Sequence, residues 1–117
     1  MGFTVVDETQ VEPFRGAFFK MRRELGATGL GINTVRLPPD AAGPPHDETQ
    51  NGHEEVYVVL EGSGWLEIGG DRVDLAPGRW VRVDAVEQRQ LHAGPEGIRI
   101  IAAGSTPGEP YTPNQGL

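Results

Sequence analysis

Cysteine is absent from the 117 residues, which excludes disulfides, thiolate catalysis and cysteine-ligated zinc and fits a reducing, cytoplasmic setting. Positive charge is scarce: ten Lys and Arg stand against 17 Asp and Glu, for a formal net charge of −7. The basic residues are also scattered, so neither a nucleic acid nor a membrane surface is expected as a partner. No stretch approaches the roughly 18 apolar residues of a membrane span. The opening MGFTVVDETQ lacks the basic-then-apolar order of a secretion signal. Lys20 is the single lysine beside nine arginines, a bias expected from the coding of a GC-rich bacterial genome.

Long helical periods are missing too, whereas glycine (17) and proline (10) are plentiful, the composition of many short strands joined by tight turns. A chain of this length is expected to form one domain, residues 1–117, burying roughly two-thirds of its unfolded surface. Strands are expected at Thr4–Asp7, Gly31–Leu37, Glu54–Glu61, Gly64–Ile68, Arg72–Leu75, Trp80–Val83, Gln88–Ala93 and Ile98–Ala103. Pro38-Pro39, Gly62-Ser63-Gly64, Gly69-Gly70-Asp71, Pro77-Gly78 and Gly94-Pro95 separate them. Ala17–Leu25 fits both periods and reads as a strand ending in one helical turn. Pro107, Pro110 and Pro113 forbid regular structure in a loose tail, Thr106 to Leu117. Seven or eight such strands imply an all-β antiparallel sandwich or barrel, whose closed sheet has a mouth for a ligand.

The run GPPHDETQNGHEEVYVVLEGSG, Gly43 to Gly64, carries the chemistry. Alternation puts Glu55, Tyr57, Val59 and Glu61 on one strand face and Val56, Val58 and Leu60 on the other. Both faces are apolar enough to be covered. A carboxylate at Glu55 beside Tyr57 and Val59 is then costly unless a cation or hydrogen-bond donors compensate it.

These residues resemble the small single-domain cupins of the conserved-barrel type, whose fold is a double-stranded β-helix, or jelly-roll barrel. The likeness covers about residues 31–104. Glu55 and Gly62 in EVYVVLEG match the second half of the family's first motif, and SGWLEIGG continues it. The second motif is similar to Gly70-DRVDLA-Pro77-Gly78-RWVRVDAVEQ-Arg89. The resemblance implies a metal centre, but here the H-x-H position is His46-Asp47-Glu48, the spacing to Glu55 is lengthened around Gln50-Asn51-Gly52, and the third histidine position is Arg89. Ala93 stands where an asparagine often follows.

Two readings stay open. In the first, His46, Glu48 and Glu55 bind one divalent metal (Mn, Fe, Ni or Zn), with His53 added if the insertion carries it inward; the chain would then be a metal-dependent enzyme of the dioxygenase or isomerase type. In the second, which is favoured, Arg89 is itself the internal cation. It pairs with Glu55 and Glu48, since arginine keeps its proton and does not serve as an ordinary ligand. The chain is then a small-molecule-binding barrel with a degenerate metal site, a sensor or accessory protein, whose ligand, such as a carboxylate, meets Arg89, Tyr57, Glu55 and Glu48. Plainer roles stand beside these: His46 as a solvated loop residue, His53 on the rim, His92 pointing away from the cavity, Glu54 in solvent, Glu61 in a turn. Tyr57, Val59, Val81, Val83 and Leu91 share the inward parity. Trp80, Val56, Val58 and Leu60 mark an outer face that a second layer or a partner subunit would cover, and a homodimer is expected.

Overall fold

The computed structural model describes residues 2–110. An antiparallel sheet is folded over on itself: β1 (Phe18–Phe19), β2 (Gly31–Leu37), β3 (Glu54–Ile68), β4 (Asp71–Leu75), β5 (Trp80–Val83) and β6 (Arg89–Ser105), with one short helix, α1 (Met21–Leu25). The strand order is β1-β2-β6-β3-β4, and β5 also pairs with β3. This is the all-β jelly-roll barrel expected of the sequence.

Two strands do most of the closing. β3 and β6 pair along nearly their whole lengths, from Glu54 opposite Ser105 to Ile68 opposite Arg89. Each runs through a segment that reads as a turn in the sequence. Gly62-Ser63-Gly64 does not end β3, and Gly94-Pro95 does not end β6. The register instead slips there: Gly62 faces Ile98 and Gly64 faces Ala93, so Ser63 alone opposes Gly94 to Gly97. Such an irregularity bends a strand sharply and accommodates a proline that a regular ladder rejects. Glycine is required because the two backbones nearly touch. A Cβ at Gly62, where φ is 77°, would lie 2.1 Å from the Gly97 carbonyl oxygen, and one at Gly64 would lie 2.0 Å from that of His92.

The bend gives two layers. The first half of β3 lies between β5 and the second half of β6, which continues to β2 and β1. The second half of β3 lies between β4 and the first half of β6. Beyond β6, single bridges from Ala42 to His92 and from His46 to Arg89 bring the 42–46 segment alongside. Leu37, Val59, Leu66, Leu75, Val83, Ile98 and Ile100 are buried between the layers.

The N-terminal expectations divide. Thr4–Asp7 forms no strand; a 3-10 turn, Glu8–Gln10, follows it, with the Asp7 carboxylate accepting from the Thr9 amide. The adjacent Glu8 binds the outer face, accepting from Thr34 Oγ1 at 2.8 Å and from Arg99 at 3.4 Å. Ala17–Leu25 does combine a short strand with a helical turn, which ends at Gly26 with φ 71°. Residues 106–110 are free of strand and helix; the rest of the expected loose tail, residues 111–117, lies outside the described residues. No helix among the described residues is long and apolar enough to cross a membrane.

Candidate functional site

The barrel encloses a cavity of about 410 Å³, within the usual range for a small-molecule site. Strand alternation explains its polar wall. Glu55 and Tyr57, two residues apart on β3, share a face, as do Arg89 and Leu91 on β6. His46 and Arg89 exchange backbone hydrogen bonds, the His46 amide donating at 2.9 Å and the Arg89 amide at 2.8 Å. That bridge puts their side chains on one face. Glu48 follows, with its amide on the Ala85 carbonyl and its carboxylate accepting from Asn51 Nδ2 at 3.2 Å.

Arg89 is 1% exposed. Its Nη2 donates to the Val83 and Asp84 carbonyls at 3.5 and 3.3 Å, and its Nε stands 4.0 Å from Glu55 Oε1. Neither Nε nor Nη1 has a hydrogen-bond partner among the described residues. Leaving buried donors of a cation unmet is costly, and Arg89 belongs to the cavity lining, so a ligand acceptor that draws the guanidinium toward it would relieve that cost. Asn33 Oδ1, also in the lining, is buried and unmet in the opposite sense.

Glu55 is the hub. Tyr57 Oη donates to its Oε1, and His46 Nε2 lies 3.8 Å from the same oxygen and 3.5 Å from Glu48 Oε2. Burial pushes the Glu55 carboxyl up, but His46, the Tyr57 hydroxyl and the Arg89 charge together outweigh it and hold it below its ordinary value. The approach of Glu55 raises His46 against the cost of burial. Burial, then the Glu55 charge, drives the Tyr57 phenol well above its ordinary range, so it remains a donor.

Of the residues singled out in the sequence, Arg89, Tyr57, Glu55, Glu48 and His46 all line this cavity. His53 does not. It is 3% exposed, neither on the rim nor in the lining, and its amide donates to Asn51 Oδ1 in the inserted turn. His92 stacks on Trp65 with ring centroids 4.8 Å apart, away from the cavity. Glu54 lies 3.6 Å from Arg82, and Glu61 3.8 Å from Arg99, on the outside. The sequence reading missed the mouth: Phe14, Arg15, Phe18 and Lys20, with Asn33 and Val35 from β2, complete the lining. The aromatics flanking the Arg15-Gly16 turn were the available signal, but only the pairing of β1 with β2 brings them to the barrel.

The polar set does not fit a divalent metal. His46, Glu48 and Glu55 approach one another, but the position of a further ligand is held by a guanidinium that cannot ligate. Its fixed positive charge stands 4.0 Å from the central carboxylate, whose Oε1 already accepts from Tyr57. Among the described residues no group of three His, Asp or Glu side chains has metal-holding geometry.

The barrel has clear structural relatives. A cupin protein from Bacteroides fragilis is 25% identical, with 100% of this chain and 97% of that one covered and a TM-score of 0.78. A predicted oxalate decarboxylase from Thermotoga maritima is 19% identical, covering 86% and 97% of the two chains, with a TM-score of 0.70. A Cupin 2 conserved barrel domain protein from Salinispora arenicola is 15% identical, with coverages of 89% and 87% and a TM-score of 0.66. No family model and no curated protein matches the sequence. Strand order and likeness along the full length of the chain show that this protein has the jelly-roll barrel fold of the cupins.

Proposed function

We propose that this cupin-like barrel is a small-molecule-binding protein that works without a metal, Arg89 being the cation it holds permanently. One observation carries the reading: a fully buried guanidinium in the cavity wall, with two of its three nitrogens lacking a hydrogen-bond acceptor among the described residues. In a filled core such donors would be a liability; in a binding site they are the groups a ligand satisfies. Glu55 balances the charge in the ligand-free barrel, and Tyr57 and His46 hold Glu55 in place. The fold alone decides nothing here, since cupin barrels are shared by proteins of different activity.

The test is elemental analysis of the purified protein before and after soaking with Mn, Fe, Ni and Zn. Less than a tenth of an equivalent under every loading is the expected result. Near-stoichiometric metal that disappears in Glu55→Ala would overturn the reading and restore the metal-dependent enzyme.

A further inference from the structure

The geometry points to a ligand class: we propose that the cavity takes a singly charged carboxylate with an apolar body, a small alkyl or aryl carboxylic acid. This rests on the reading of the barrel as a metal-free binding site. The charge of the lining is the first reason. In a chain of net charge −7, the cavity wall carries Arg15, Lys20 and Arg89 against Glu48 and Glu55, a net of +1 with His46 neutral. A surface so acidic elsewhere is repulsive to anions, and a concave positive region focuses them.

The second reason is where the donors lie. Arg89 Nε and Nη1 are buried and unmet, whereas the Tyr57 hydroxyl is committed to Glu55. An acceptor with a full negative charge adds to its hydrogen bond with Arg89 the Coulomb attraction of an ion pair and can take a bidentate geometry, neither of which an alcohol or amide oxygen offers. The third reason is the remaining wall. Phe18, Val35, Leu66, Leu91 and Ile100 offer no polar side-chain group, and the unmet Asn33 oxygen is an acceptor that repels an anion, so a second carboxylate or a ring of hydroxyls would be desolvated there largely without compensation. Arg15 and Lys20 are held over the half-exposed Phe14 ring, 5.0 and 4.3 Å from its centroid. They serve the approach of the anion rather than its seat.

Calorimetry on the full chain, stripped with a chelator, tests this with hexanoate, phenylacetate, 1-hexanol, adipate and inorganic phosphate. Saturable binding of a monocarboxylate, with hexanol and adipate weaker by about tenfold or more, is expected. Arg89→Met should weaken the monocarboxylate by a similar factor. Should that variant not fold, Lys20→Met keeps the test open: it should slow association of the monocarboxylate and flatten the salt dependence of its rate. Equal affinity for hexanol, tighter adipate or phosphate, no binding by any member, or a Lys20→Met association rate and salt slope equal to wild type would each overturn the ligand class. None of those results places a metal in the barrel, so this failure is distinct from that of the binding reading, which stoichiometric metal alone would produce.

Discussion

Arg89 and Glu55 approach from opposite layers of the barrel, Nε to Oε1 at 4.0 Å, with side chains 1% and 15% exposed. Each is the reason the other can be inside. Removing the guanidinium leaves a buried carboxylate facing only His46 and Tyr57, and breaking a buried pair typically costs about 3–5 kcal/mol. Arg89→Ala should therefore lower unfolding stability by that order in a denaturant titration. The Arg89→Ala/Glu55→Ala double variant should lose clearly less than the two single losses combined; strict additivity would mean that the two side chains do not interact.

Putting imidazole where the guanidinium stands removes the fixed charge and adds a ligand. Arg89→His, joining His46, Glu48 and Glu55, should gain affinity for Zn or Mn by at least about tenfold over the parent, read by competition with a chromophoric chelator. An unchanged metal affinity would mean that something other than Arg89 keeps metal out.

Tyr57 contributes one hydrogen bond to a buried carboxylate. Tyr57→Phe should cost about 2 kcal/mol and move the Glu55 carboxyl pKa upward, observable by carbon-detected NMR. A carboxyl that titrates as before would remove Tyr57 from the set that holds Glu55.

His46 and Glu55 give stability a pH dependence from both sides. His46 titrates above its ordinary 6.5 in the folded chain, so its contribution is complete below 6.5 and fades as pH rises through the raised value. Glu55 titrates below its ordinary 4.5, so its contribution is complete above 4.5 and fades as pH falls through the lowered value. Both act fully between those two ordinary values. Denaturation midpoints followed across about pH 3 to 9 should fall on the alkaline side in the parent and lose that fall in His46→Gln. An alkaline fall of equal size in the variant would assign it to another group.

Local chemistry made much of this legible. β2 and β5 run from Gly31 to Leu37 and from Trp80 to Val83, as their bounding glycines and prolines imply, and the inward parity of Tyr57, Arg89 and Leu91 follows from alternation alone. Two kinds of error have a common source. Gly62-Ser63-Gly64 carries a turn signature, yet it is a crossing point, because what decides its conformation is the Gly97 and His92 backbone more than 25 residues away. Likewise nothing local to Phe14–Lys20 says that it closes the cavity, since that depends on the two-residue pairing of Phe18 and Phe19 with Val35 and Thr34. The outer face is as expected apolar, with Trp80 69% and Leu60 36% exposed. Its cover by a second subunit is open to test by light scattering, with Trp80→Glu expected to shift any dimer toward monomer.

The two long strands carry a consequence for motion. β3 and β6 belong to both layers, so neither layer can swing away without unzipping the same ladder, and their amides should exchange with solvent only through opening of the whole molecule. Glu55 and Arg89 ride on that ladder. The Phe14–Lys20 wall, by contrast, hangs on the edge of the sheet by β1's two pairs and the Arg36 amide on Ala17. Its amides should exchange orders of magnitude sooner, so the barrel breathes at its aromatic rim while its charged interior stays still.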